Sequence, residues 1–220
     1  EDDVPNVATP GNAKEESTMT QVHVKEWELA DNRTDKQMKF TFREAAATVR
    51  EHLSNVVFVE VNGKNYEKRL LSSPKENEYR ITNDAYTRDP YISVTANGIV
   101  DGENKIKITF SDGKKLVYYF EYQLRTAPQA GAVEFLPESQ NPYLAYTTPA
   151  RYRINMYAVM TRGYYESATV YINDEKVNSQ KIRFESEKMY IDADALQNGT
   201  NRIRVVVPTY RDLEFSIEKN

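Results

Sequence analysis

The chain has 220 residues, a net charge of −4, 40% hydrophobic and 28% charged residues, and no cysteine. This is the balance of a folded protein with one large or two small domains. It excludes disulfides, thiol chemistry and thiolate zinc sites. The lack of a basic stripe argues against a nucleic-acid partner, and no apolar run approaches the ~18 residues of a membrane-spanning helix.

Residues 1–20, EDDVPNVATPGNAKEESTMT, are acidic and rich in Pro, Thr and Ala, with almost nothing to build a core. The expectation is a disordered tail or stalk. Val22 and Val24 then alternate with polar residues, as do Met38, Phe40 and Phe42, which marks two strands. REAAATVREHLSN carries three alanines and places Ala46, Val49 and Leu53 on one face, so a helix is expected at about 43–54. VVFVEVNGKNYEKRL is a hairpin around Asn62-Gly63, a pair suited to a turn in which both residues take positive φ. Further strands are expected at 77–82, 91–96, 103–110 and 115–124. RTAPQAGA breaks the alternation and is expected as a linker, centred on 126–131. AVEFL, ARYRINMYAVM, SATVYIND, KIRFESEK, KMYIDAD, NRIRVVV and DLEFSIE follow as strands, with no equally clear helix among them.

The chain repeats itself. Gly102 and Gly199 are 199 − 102 = 97 residues apart, and this offset pairs Asn104 with Asn201, Ile106 with Ile203, Leu116 with Leu213, Tyr118 with Phe215 and Phe120 with Ile217. VVFVEVNG matches ATVYINDE at 173 − 62 = 111, so the first copy carries 111 − 97 = 14 extra residues, expected in the charged segment 72–90. The reading is a mostly β protein of two tandem immunoglobulin-like β-sandwich modules, at 21–125 and 132–220, with one short helix in the first. The turn-Asn-strand signature has a physical basis, since Gly takes the tight turn and Asn bonds its own backbone.

The pattern VEVNGKNY followed by GENKIKITF, and more loosely VYINDEKV followed by GTNRIRVVVPTYRDL, resembles the small repeat in the hemoglobin-interacting domains of the streptococcal hemoprotein receptor family. The second copy departs from it where Asp174 stands at the position of Gly63. The resemblance implies a Gram-positive, extracellular surface protein that binds a host protein such as hemoglobin for heme acquisition. Cysteine-free composition suits a bacterial surface. A carbohydrate-binding or adhesin module and an immunoglobulin-like stalk are the alternatives.

Tyr118 and Tyr122 form a Tyr-x-x-x-Tyr pair like that of the NEAT heme carriers, but Tyr118 falls opposite Phe215 on the apolar face of its strand, which favours packing over heme ligation. Sixteen tyrosines are unusual, and seven lie between Tyr143 and Tyr171. Tyr143 and Tyr146 occupy a Pro-flanked loop, and Tyr164-Tyr165 follow Arg162-Gly163 in an expected turn. These four are the candidate contact residues, because tyrosine gives rigid, amphipathic area at low entropic cost. No nucleophile-base motif, phosphate loop or metal-ligand spacing is present, so no enzyme activity, cofactor or metal is expected.

Overall fold

The computed structural model describes residues 14–31, 36–156, 162–185 and 187–220. The protein is mostly β. Its first half contains β1 (Val24–Asp31), β2 (Lys36–Phe42), α1 (Ala46–Leu53), β3 (Val56–Val61), β4 (Lys64–Lys68), β5 (Glu78–Asn83), β6 (Pro90–Thr95), β7 (Gly102–Phe110) and β8 (Lys115–Tyr122). The second half contains β9 (Ala130–Leu136), β10 (Ser139–Gln140), β11 (Thr147–Thr148), β12 (Arg151–Met156), α2 (Arg162–Tyr165), β13 (Thr169–Ile172), β14 (Glu175–Lys176), β15 (Ile182–Glu185), β16 (Lys188–Asp192), β17 (Gly199–Val206) and β18 (Leu213–Lys219).

Strand alternation sets the layers. Along β7, Asn104, Ile106, Ile108 and Phe110 are buried while the residues between them stay partly exposed. In the first half, eight strands hydrogen-bond in the order β1-β2-β6-β5-β4-β3-β7-β8. The sheet folds over so that its ends meet, with Trp27 of β1 5.2 Å and Phe40 of β2 5.5 Å from Phe120 of β8, ring centre to ring centre. In the second half, two four-stranded sheets, β15-β16-β12-β9 and β14-β13-β17-β18, face each other, and β10-β11 form a small hairpin. Buried hydrophobic residues fall into two clusters, one drawn from residues 19–120 and one from 152–217.

The sequence repeat is a repeat of hydrogen bonds. Asn62 and Gly63 turn with φ of 49° and 82°, and Asn173 and Asp174 with 50° and 69°, so an aspartate adopts the left-handed conformation of the glycine. Asn104 and Asn201 are buried at 1% and 0% exposure. Each donates to the backbone carbonyls four and two residues before it, of Val100 and Gly102 in one case and Gln197 and Gly199 in the other, and Asn201 also reaches the Ile217 carbonyl. Each accepts from the turn asparagine, at 2.9 Å from Asn62 and 3.1 Å from Asn173.

Three expectations are corrected. Residues 14–20 are not a free tail: Thr18 and Met19 donate their backbone N–H to the Lys115 carbonyl, and Met19 is 2% exposed in the first core. Residues 1–13 lie outside the described residues. The second half does contain a helix, α2, and the 111-residue offset places Leu53 of α1 on Tyr164 of α2. The linker is shorter than 126–131, since β9 begins at Ala130, where Met156 is its strand partner. Segment 72–90 contains β5, close to the strand expected at 77–82.

Candidate functional site: an open seam in the second half

The two halves differ where their sheets meet. In the first half, β4 pairs in parallel with β5, Glu67 opposite Glu78 and Lys68 opposite Tyr79, which closes that side of the fold. Tyr66 of β4 fills the interior behind this ladder at 5% exposure. Its hydroxyl lies against Gly98, where a Cβ would collide with it. Burial pushes the Tyr66 phenol up to about 12.

In the second half, β14 and β15 are the outer strands of separate sheets and do not pair. The offsets of 111 and 97 place Val177 at the position of Tyr66 and Ala195 at that of Gly98. A valine with an alanine thus replaces a tyrosine that required a glycine. Val177 is half-buried, and an opening of about 640 Å³ runs between the sheet edges. Its walls are Tyr165, Val170, Val177, Ile182 and Phe184. The rings of Tyr165 and Phe184 stack nearly parallel, 6.0 Å apart at 12°. Position 54, the counterpart of Tyr165 in the first half, is a serine, so this aromatic pair belongs to the second half alone.

The rim is polar. Asn178 spends its amide oxygen on the Gln180 N–H at 2.9 Å. Among the described residues, the Asn178 amide NH2, the Ser179 hydroxyl and the Lys176 ammonium have no partner, leaving donors at the mouth of the groove. Apolar walls with a few convergent polar groups are the usual lining of a small-ligand site. A second opening, of about 630 Å³, lies between β9 and β18 and includes Val133, Phe135 and Tyr152. In the first half, Trp27 covers the matching side against Phe120 and Tyr122.

The tyrosines divide into different environments. Tyr143 and Tyr146 stand together on the β10-β11 hairpin, 93% and 56% exposed, with Leu144 between them. Tyr164 is a core residue, 2% exposed, set edge-on to Tyr210 at 4.9 Å. It offers no contact surface, which corrects the expectation for this position, and burial raises its phenol above the ordinary value. Tyr165 is half-buried in the groove wall. Tyr118 packs edge-on to Phe40 at 6.1 Å, and Tyr122 lies 6.2 Å from Trp27, so both sit partly buried against the first core. Phe184, Val177, Asn178 and Ser179 were not singled out by sequence. The substitution of Val177 for Tyr66 in the repeat is the signal that finds them. Among the described residues, no group of three or more His, Cys, Asp or Glu is placed to hold a metal ion.

No protein-family model and no curated protein matches this sequence. Among solved structures, it is similar to SGBP-B from a complex xyloglucan utilization locus in Bacteroides uniformis, at 8% identity and TM-score 0.28, over 89% of this chain and 48% of that one. It is similar to Tp47, the 47-kilodalton lipoprotein of Treponema pallidum, at 10% identity and TM-score 0.36, over 94% and 54%. It is also similar to SGBP-B of the Bacteroides ovatus mixed-linkage glucan utilization locus, in complex with a mixed-linkage heptasaccharide, at 12% identity and TM-score 0.26, over 87% and 44%. The chain spans about half the length of each. At these scores the neighbours carry no argument about function, which rests on the groove described above.

Proposed function

We propose that the protein is a non-catalytic, extracellular binding protein of a bacterial surface, that its halves are tandem immunoglobulin-like modules, and that its ligand is a glycan held in the seam between β14 and β15. One observation carries the reading: the seam that Tyr66 and the β4-β5 ladder close in the first half stands open in the second, lined by an aromatic pair and free donors. The C–H faces of a sugar pack on rings such as Phe184 and Tyr165, and its hydroxyls accept from Asn178, Ser179 and Lys176. A preformed β-scaffold loses little entropy when it binds.

The test is a glycan array followed by affinity electrophoresis in gels containing each soluble polysaccharide that scores. Phe184→Ala is expected to weaken retardation by about tenfold or more. Val177→Tyr with Ala195→Gly, which rebuilds the first half's plug, is expected to abolish it. Full retardation of the plugged variant, or no glycan bound by the wild type, overturns the reading.

A second reading has its own observation. Tyr143, Leu144 and Tyr146 present exposed apolar area on a projecting hairpin, as a protein contact requires. With the resemblance to hemoglobin-interacting domains, this supports a host-protein ligand. Calorimetry with purified hemoglobin tests it, the expected result being heat that is lost on Tyr143→Ala with Tyr146→Ala. No heat with the wild type removes it.

A further inference from the structure

Three asparagines in this sequence precede a glycine: Asn62, Asn97 and Asn198. Asn-Gly is the step most prone to spontaneous deamidation, because the following residue has no Cβ to shield its nitrogen. The fold treats the three differently. The amide of Asn62 donates to the Gly98 carbonyl and to Asn104 Oδ1, both at 2.9 Å, and its oxygen accepts from the Lys105 N–H at 2.8 Å. The amide of Asn97 donates to Asn77 Oδ1 at 2.8 Å and accepts from the Asn77 N–H at 3.1 Å. Asn198 is exposed, and among the described residues its amide has no partner. Gly199 beside it sits at φ +91° with open space around it.

We propose that Asn198 is a self-modification site of the folded protein. The Gly199 backbone nitrogen attacks Cγ of Asn198, forming an N–C bond. The bond between Cγ and Nδ2 breaks, and that nitrogen leaves as ammonia, taking the proton from Gly199. Water then opens the resulting succinimide at either carbonyl, giving aspartate or isoaspartate. No oxidant or reductant is needed, and one neutral amide becomes one carboxylate.

The repeat indicates that the aspartate product is tolerated. The 97-residue offset places Asp101 at the position of Asn198, again before a glycine of positive φ, Gly102. There the carboxylate accepts from the Leu124 N–H and pairs with Arg211, both at 2.9 Å. Deamidation would give the second half the residue its counterpart already carries. The isoaspartate product instead adds a backbone methylene immediately before the turn that sets Asn201.

The experiment is peptide mapping by mass spectrometry of the folded, full-length protein after incubation in mildly alkaline buffer. The peptide spanning 189–202 is expected to gain about 1 Da, with the fragment series placing the change at Asn198. Asn62 and Asn97 must break two or three hydrogen bonds first, and are expected to react about tenfold more slowly or less. In denaturant this difference should vanish. Asn198→Asp is expected to keep the wild-type melting temperature. Modification of Asn62 or Asn97 at the rate of Asn198 in the folded protein overturns the proposal, as does an inert Asn198.

Discussion

Asn201 has no exposed surface, and both ends of its amide are held. It accepts from the Gln197 N–H at 3.0 Å and from Asn173 at 3.1 Å, while it donates to the Gln197 and Gly199 carbonyls at 2.8 and 3.1 Å. Truncation strands these groups in a dry site, where each costs about 1–3 kcal/mol unless water reaches it. Asn201→Ala should therefore destabilise the second half by about 3 kcal/mol in a urea titration, and a loss under about 0.5 kcal/mol would mean the loop re-forms without it. Tyr66 and Gly98 make a complementary case. Gly98→Ala drives a methyl into the Tyr66 hydroxyl and should cost about 1–3 kcal/mol. The combination Tyr66→Val with Gly98→Ala reproduces the pairing of Val177 with Ala195. A double-mutant cycle should show the alanine's penalty largely gone once the tyrosine is removed. Simple additivity would break the argument that these two positions set the width of the seam.

At the level of elements, much was legible because strands announce themselves by period two. Met38, Phe40 and Phe42 line up in β2, and the Asn62-Gly63 turn and the paired Gly-x-Asn-x-Ile segments are local signals that the fold obeys. What was not legible lacks such a period. The segment 14–19 contributes one core residue, Met19, and otherwise docks through its backbone, the Ser17 and Thr18 hydroxyls, the carboxylate of Glu15 and the Lys14 ammonium, which pairs with Glu103 and lies over the Tyr119 ring. Helix α2 has four residues, too few for a helical stripe, so Tyr164 read as a turn residue although its counterpart Leu53 is buried. The groove arises from two outer strands failing to pair, a relation no single segment contains. The leading segment also carries a pH prediction. Lys107 and Lys105 hold the Glu15 carboxyl at about 2, well below its ordinary 4.5. A depressed carboxylate contributes stability above its unfolded value and loses that contribution as pH falls through the folded one. Docking should thus be intact above about pH 4.5 and weaken toward pH 2. The Lys115 and Val117 N–H groups, which donate to Thr18 and Ser17, should lose exchange protection over that interval. Glu15→Gln should remove the dependence, and protection that stays level with pH in the wild type would show that Glu15 does not hold the segment.

Across the whole molecule, Tyr210 of the second half is where residues of the first half reach over. The Arg125 guanidinium lies 4.1 Å and the Lys36 ammonium 5.1 Å from the centre of its ring, and Tyr164 packs edge-on to it. Lys36 begins β2 in the first half, yet it is only 2% exposed, so its charge is held in a dry joint. Cations over a ring gain about 0.5–2 kcal/mol each, more as water is excluded. The backbone adds a bridge, since Arg125 donates to Thr209 and Arg211 donates back to Arg125, and Asp101 pairs with Arg211 beside it. Tyr210→Leu keeps most of the bulk but removes the quadrupole under both cations, so it should lower coupling between the halves more than it disturbs either core. Trp27, the only tryptophan, packs on the first core and reports that half alone. In the wild type, its thermal transition should coincide with the loss of far-ultraviolet circular dichroism. In Tyr210→Leu, the second half should melt first, splitting the circular dichroism trace while the Trp27 midpoint moves little. A variant whose two signals still fall together would place the coupling elsewhere, in the Asp101-Arg211 pair or the backbone bridge, and Asp101→Ala would then be the substitution that separates them.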